Sequence, residues 1–384
     1  MKSRFISKFK HVSTRLSAVL LAVLLLLPAC ARQPQPARVE EITFQSGEFT
    51  LVGDLRTPAG TGPFPVVLFV HGSGNADRTF FGMYLPIMER MLRAGYAVFS
   101  WDKPGTGEST GQFQQYRLKQ QRAQIVLDAI EVMKSHPDID PQRIGLWGIS
   151  QGSWVMPRVL MASDDVAFMI CVSCGSMSGQ DDYVYQVVAQ GYCGGVPEED
   201  ADQLEILLAE LDEARTFDTY EGYLRYRDVL DELAALRSVG VPNPVVSEAG
   251  WLANDPDSQA WSPVHVFEQV RIPVLAIWGE RDTQLDPIRG AYAYRDALEQ
   301  AGNPNYRIEV IPGADHTLAP LETGCMSEED QTVVRLLEEQ GYGTLEETVS
   351  LIQQEPGQHT PLSAWPYAPG YLDLIEEWLT GLQP

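Results

Sequence analysis

Positive charge is scarce in this chain. Lysine and arginine number 28 against 52 aspartates and glutamates, giving a formal net charge of −24. A surface this acidic repels a phosphate backbone, and no basic stripe interrupts it, so nucleic-acid binding is excluded. The same balance weighs against a strongly anionic substrate. Cysteine is scarce too, with 5 residues. Cys171 and Cys174 have C-x-x-C spacing, yet no second ligand pair accompanies them, which excludes a zinc ribbon. They sit in what reads as a buried strand, where cysteine serves as a small hydrophobe. Cys193 and Cys325 lie in separate loops, and an oxidising compartment allows them to pair. Past the first thirty residues or so, no apolar run reaches the length of about 20 that spans a bilayer. No internal repeat is visible. A chain of 384 residues suits one catalytic domain with an insertion and an ample core.

What the chain does have begins at its N-terminus. Lys2, Arg4, Lys8, Lys10 and Arg15 precede an apolar run from Leu16 to Leu27. That run is too short to cross a bilayer as a stable helix and reads as the core of a signal peptide. It ends Leu27-Pro28-Ala29-Cys30, which resembles a bacterial lipobox, with Pro28 an unusual residue at its position. The expectation is a signal peptide over residues 1–29, lipidation at Cys30 and a tether over 30–38, giving an exported, membrane-anchored lipoprotein. The alternative is an ordinary secretory signal and a soluble periplasmic or secreted product. Without the basic leader the chain is more acidic still.

The most informative internal stretch is Gly148-Ile149-Ser150-Gln151-Gly152. Arg143 to Trp147 before it reads as a buried parallel strand, and Ser153 to Met156 after it opens a helix. A serine between two glycines at a strand-to-helix turn is held in a strained backbone, so its neighbours must be small. The gain is a hydroxyl exposed at the carboxyl edge of the sheet, over the positive end of a helix dipole. Ser150 is therefore the candidate nucleophile.

A serine hydroxyl needs a base, and the chain offers 6 histidines. His11 lies in the leader, His136 and His265 sit near prolines, and His359 falls in a Pro-rich stretch. His71 directly follows an apolar strand. His316, in Gly313-Ala314-Asp315-His316-Thr317, follows the strand-like run Tyr306 to Ile311 and is the candidate base. The third member is a carboxylate that orients the imidazole and stabilises its cation. The apolar run Ile272 to Trp278 ends in Gly279-Glu280-Arg281-Asp282-Thr283-Gln284-Leu285-Asp286. Asp282 is the choice, with Asp286 and Glu280 as competitors. For the developing oxyanion, backbone donors are expected at Ser73, in His71-Gly72-Ser73-Gly74 after the strand Pro65 to Val70, and at Gln151. His71 then orients that loop and carries no proton.

These landmarks, together with Asp102-Lys103-Pro104-Gly105-Thr106-Gly107-Glu108-Ser109, resemble the α/β-hydrolases of the esterase, dienelactone-hydrolase and prolyl-oligopeptidase-like group. The resemblance runs from about Val66 to His316. It implies an α/β fold with a mostly parallel sheet flanked by helices, and the chain order Ser150, Asp282, His316 agrees with it. The Asp102 to Ser109 segment resembles a loop that shapes the site wall, although Lys103-Pro104 departs from the more usual Arg-Gly.

Between the strands at Phe168–Ser173 and Pro273–Trp278 lie roughly a hundred residues, far more than one crossover needs. Leu204, Leu207, Leu208 and Leu211 mark one helix face there; Tyr220, Tyr223, Leu224, Val229, Leu230 and Leu233 mark another. The expected organisation is a first core part over 39–175, a helical cap over 176–262 and a second core part with C-terminal helices over 263–384. Tyr220, Tyr223, Trp251 and Trp261 are candidates to line an acyl pocket. Helices are expected at Ser327–Gln340 and Tyr371–Leu379, and the Pro-rich segment between them has no assigned role.

The expected activity is hydrolysis of a small-molecule carboxylic ester or other acyl substrate through an acyl-enzyme, a mechanism needing no cofactor or metal. Thioesterase or peptidase action by the same triad is the alternative, and a catalytically silent binding lipoprotein is the reading from another class. Oligomeric state and acyl length are not legible in the sequence. If Cys30 carries the lipid, Cys30→Ser abolishes metabolic labelling with palmitate in a bacterial host and releases the protein from membranes. A cleaved Cys30→Ser product that still fractionates with membranes would refute the anchor.

Overall fold

A computed structural model describes residues 38–112, 118–176, 179–193, 195, 203, 206–207, 209–210, 213, 220–235, 261–344, 347–348, 350–351 and 359–383. The leader, Cys30 and most of the tether lie outside them. Among the described residues no helix is long and apolar enough to cross a membrane.

The strands are β1 (Arg38–Ser46), β2 (Phe49–Thr57), β3 (Phe64–Val70), β4 (Ala97–Trp101), β5 (Ile139–Ser150), β6 (Val166–Cys174), β7 (Val274–Gly279) and β8 (Tyr306–Ile311). They form one 8-stranded sheet in the order β1-β2-β4-β3-β5-β6-β7-β8. From β4 through β8 the neighbours are parallel, and β1 and β2 add an antiparallel edge. Strands covered on both faces read as unbroken apolar runs, as in Phe64–Val70 and Val274–Gly279. The edge strand β1 carries Arg38, Glu40 and Glu41 on an exposed backbone, which discourages edge-to-edge pairing.

Successive side chains of a strand point to opposite faces, and β3 divides its residues accordingly. Val66, Leu68 and Val70 join one core, and Val67 and Phe69 join the other. Two helices, α1 (Leu85–Arg93) and α2 (Leu118–Lys134), flank β4 in sequence, and α3 (Gly152–Ala162) follows β5. Helices α4 (Gly179–Cys193) and α5 (Tyr220–Ala235) fall within the long insertion. They are followed by α6 (Val264–Phe267), α7 (Pro287–Gln300), α8 (Met326–Glu339) and α9 (Tyr371–Gly381). The first core gathers Ala123 and Val126 of α2, Val155 of α3, Phe267 of α6 and Tyr294 of α7. The second gathers Ile87 and Met91 of α1 with Leu374, Ile375 and Leu379 of α9.

Because β3 to β8 run the same way, the loops after Val70, Trp101, Ser150, Cys174, Gly279 and Ile311 all leave from one edge of the sheet. Helix α4 is fastened to that edge. The Tyr185 hydroxyl donates to the Asp282 carbonyl at 2.8 Å, and Gln190 Nε2 donates to Thr283 Oγ1 at 2.6 Å. A disulfide joins Cys193, at the end of α4, to Cys325, just before α8. Leu207 and Val229 are buried. The side chains of Leu204, Leu208, Leu211, Tyr220, Tyr223, Leu230, Leu233 and Trp251 lie outside the described ones. Trp261 lies elsewhere than an acyl pocket at the catalytic edge. The Arg158 guanidinium stacks over its ring at 3.8 Å, and it lines a cleft with Leu160, Val166 and Ile272, at the strand-start edge.

Two sequence expectations change. Cys171 and Cys174 are buried in β6 as expected, but their sulfurs are bonded to each other and do not stand as separate small hydrophobes. The segment after His316 also gains a role. Leu362, Trp365 and Ala368 enter the second core, Ala368 N–H donates to the Leu318 carbonyl at 2.7 Å, and the Tyr367 hydroxyl donates to the Met83 carbonyl at 2.8 Å. It braces the loop that carries His316.

Candidate active site

Ser150 ends β5 with φ +53°, in the left-handed region that a non-glycine residue occupies at a cost of about 1–3 kcal/mol. The glycines beside it are there for close approach. A Cβ on Gly148 would lie 2.6 Å from Met156 Cε, and one on Gly152 would lie 2.4 Å from the Val70 carbonyl oxygen. Ser153 locks the turn from the helix side: its hydroxyl donates to the Ser150 carbonyl at 2.7 Å and accepts from Gly175 N–H at 2.9 Å. Among the described residues the Ser150 hydroxyl makes no hydrogen bond, so its oxygen is not committed to another group.

Asp282 and His316 come together from the loops after β7 and β8. His316 Nδ1 and Asp282 Oδ2 are 2.8 Å apart, and both side chains are buried. The other oxygen, Asp282 Oδ1, accepts from Gln284 N–H at 2.8 Å and Leu285 N–H at 2.9 Å. These bonds fix the carboxylate as an acceptor, so Nδ1 carries the proton and Nε2 is left as the basic nitrogen. The competitors are employed elsewhere. Asp286 caps α7 by accepting from Ile288 and Arg289 N–H, and Glu280 accepts from Gly313 N–H at 2.8 Å.

Burial opposes charge on His316, but the Asp282 carboxylate and its hydrogen bond, with Asp315 behind, outweigh it and hold the imidazole above its ordinary pKa. Asp315 accepts from the N–H groups of Thr317 and Ala319. Glu329 of α8 hydrogen-bonds Asp315; burial first, then the Asp315 and Asp282 charges, hold Glu329 protonated far above the ordinary glutamate range. Asp282 and Asp315 therefore act on His316, and Glu329, paired with Asp315, stays neutral. Ser173, also at positive φ, donates its hydroxyl to the His316 carbonyl at 2.7 Å. Neither Ser173 nor Glu329 was signalled by the sequence, since a strand serine and a helix glutamate carry no distinguishing pattern.

The expected oxyanion donors neighbour Ser150: Gln151 follows it directly, and a Cβ on Gly72, the residue before Ser73, would lie 3.4 Å from Ser150 Cβ. Gln151 opens α3 in helical conformation, and Ser73 lies on the exposed turn after β3. Among the described residues neither N–H is taken up internally. His71 sits behind the turn, its Nε2–H donating to the Trp101 carbonyl at 2.8 Å, and burial holds it neutral well below the ordinary histidine range. The loop after β4 splits between two tasks. Asp102 accepts from Arg78 N–H at 2.8 Å, from its Nε at 3.2 Å and from its Nη2 at 2.8 Å, while Arg78 also reaches Asp54, Glu41 and Glu108. Ser109 ties the loop back to the Asp102 carbonyl and to Val52 N–H. Lys103, in contrast, turns toward the Ser73 loop, donating to the carbonyls of Gly72 and Gly74 at 2.6 Å each. Burial beside the Arg122 cation pushes Lys103 down to about 5, so at neutral pH it is an uncharged amine whose two N–H bonds match two carbonyls.

Comparison with known proteins gives a consistent result. A profile of the alpha/beta hydrolase family matches residues 67–335. Esterase FrsA of an Enterobacter species is 28% identical over 131 residues, 34% of this chain and 30% of that protein. Thiohydrolase aneE of Aspergillus aculeatus is 28% identical over 115 residues, 29% of this chain and 35% of that protein. The chain thus spans about a third of the length of these curated relatives. Among solved structures, the Pyrococcus furiosus esterase Pf2001 aligns over 79% of this chain and 91% of its own, at 17% identity and a TM-score of 0.47.

A base must be neutral to accept a proton, so a raised histidine pKa makes activity fall with decreasing pH through a value above the ordinary 6.5. Asp282→Asn removes the charge and the tautomer lock. It is expected to move that acid limb downward and to lower kcat on the order of 10⁴-fold. Asp286→Asn keeps a good helix cap and leaves both nearly unchanged. A kcat/KM profile of the two variants in which Asp286→Asn is the crippled one would overturn the choice of acid.

Proposed function

The chain belongs to the alpha/beta hydrolase family and has its fold, and on that premise we propose that it is a serine hydrolase cleaving carboxylic esters through a Ser150–His316–Asp282 triad. The observation that carries the reading is the buried Asp282–His316 pair at the same sheet edge as a serine held at φ +53°. Ser150 Oγ attacks the ester carbonyl as His316 Nε2 takes its proton, and Asp282 stabilises the imidazolium. Negative charge developing on the carbonyl oxygen is met by the N–H groups of Ser73 and Gln151. Collapse of the tetrahedral species expels the alcohol, which leaves with the proton from His316. Water then attacks the acyl-serine with His316 again as base, releasing the acid and restoring Ser150.

Helix α4, hydrogen-bonded to the acid loop and tied to Cys325, borders the site, and with α5 it is the proposed selector of acyl length. A thioester substrate is the second reading. It is favoured by the match to a thiohydrolase and follows from the same acyl transfer. The proposed setting is the membrane surface, through lipid on Cys30.

Ser150→Ala is expected to stay folded and lose activity by several orders of magnitude, on the scale of removing a triad nucleophile. Assay of the purified pair against a panel of esters of graded chain length, thioesters and amides separates the substrate classes. Near-normal hydrolysis by Ser150→Ala on every substrate cleaved by the parent would sink the reading.

A further inference from the structure

We propose that Lys103 and Arg122 are positioning residues that aim both N–H donors of the oxyanion hole, an inference that rests on the serine hydrolase reading above. In a trans peptide the carbonyl of one residue and the N–H of the next point in opposite directions. The carbonyl of Gly72 and the N–H of Ser73 belong to one such plane. The Gly72 carbonyl is held on its inner side by Lys103 Nζ at 2.6 Å and by Arg122 Nη1 at 3.3 Å. Fastening that oxygen inward aims the Ser73 N–H outward. Lys103 also holds the Gly74 carbonyl at 2.6 Å, so the peptide before Ser73 and the one after Gly74 are anchored to one amine.

The second arm is tied to the first through Arg122. Its Nη2 donates to the His71 carbonyl, and its Nη1 donates to Gln151 Oε1 at 2.6 Å. One guanidinium therefore grips the loop after β3 and the first residue of the turn after Ser150. Its planar fork fixes the spacing of these acceptors as a flexible ammonium would not. Arg122 thus adds a hydrogen-bonded link between the two loops that carry the donors.

The partners chosen by these two groups are informative. Buried Arg78 is surrounded by Asp102, Asp54, Glu41 and Glu108. Lys103 and Arg122 are also buried, yet among the described residues neither has a carboxylate within ion-pair distance. Burying the Arg122 cation without a counter-ion is costly, and a chain so rich in acids has the means to supply one. Backbone carbonyls are instead what they hold, and every backbone carbonyl held belongs to residues 71–74. A carboxylate placed there would compete for these donors and set negative charge behind the oxyanion.

The test uses the full-length protein with the best substrate of the panel, a fluorophosphonate to titrate active sites, and an arylboronic acid as a tetrahedral analogue. Lys103→Met and Arg122→Met are expected to lower kcat per titrated site by about ten- to a hundredfold, somewhat less than loss of an oxyanion donor itself. KM should stay within about threefold, because a ground-state ester uses these donors weakly. Affinity for the boronic acid should fall in step with kcat, and Arg122→Lys should recover part of the loss. Gln151→Met, which keeps Lys103, Arg122 and every backbone N–H, should lose about tenfold by the same readouts, and it decides the matter if either Met variant fails to fold. Folded variants with unchanged kcat per site and unchanged boronate affinity would overturn the inference and leave the hydrolase reading standing. A parent protein that neither labels at Ser150 nor cleaves any substrate would overturn that reading, and this inference with it.

Discussion

The left-handed backbone at Ser150 is the constraint around which the rest of the site is arranged. A residue held there at a cost of about 1–3 kcal/mol persists only where its surroundings leave no alternative. Met156 and the Val70 carbonyl close in on Gly148 and Gly152 from either side, and Ser153 bonds the turn to both β5 and Gly175. Relaxing Ser150 would require moving β3 or α3, both of which are built into the first core. Strain at one residue is thus stored in the packing of two elements, and the hydroxyl is delivered at the sheet edge with no hydrogen bond among the described residues.

Electrostatics then divides that edge into two territories. On the side of β7 and β8, acidic groups gather near His316: Asp282 bonded to it, Asp315 behind it, and Glu329 beside Asp315, held neutral by burial and then by the two aspartates. Asp282 and Asp315 favour the imidazolium that the proposed mechanism forms at His316. On the side of β3 and β4, donors gather instead, with Lys103 and Arg122 facing carbonyls and His71 kept neutral. In the proposed acyl transfer, charge would move between these territories, from the hydroxyl to the imidazole on one side and to the carbonyl oxygen on the other. A protein with a formal charge of −24 places an excess of donors where negative charge would develop.

Much of this was legible in the chain because local pattern and global fold agree. Phe64–Val70 and Val274–Gly279 are unbroken apolar runs since both faces are covered. Gly148 and Gly152 flag the elbow because no Cβ fits. Residues whose roles depend on a partner distant in sequence were not legible. Ser173, Glu329 and Arg122 are ordinary in their own strand or helix, and their significance comes from His316, Asp315 and the Ser73 loop, which the fold brings beside them. The pairing of Cys171 with Cys174 is not legible from a buried-strand pattern, because it goes with the left-handed backbone at Ser173 between them and the register shift there. Lys103 departs from the more usual residue of its loop, and its meaning comes from its contacts with Gly72 and Gly74.

The central claim is that one edge of the sheet holds a nucleophile, a base and two oriented donors in register before substrate arrives. The most direct measurement is a crystal structure of the protein after reaction with a fluorophosphonate. The account predicts phosphorus bonded to Ser150 Oγ, the phosphonyl oxygen within hydrogen-bond reach of the N–H groups of both Ser73 and Gln151, and the Asp282–His316 bond retained. An adduct on another residue, or a phosphonyl oxygen turned away from both N–H groups, would contradict it.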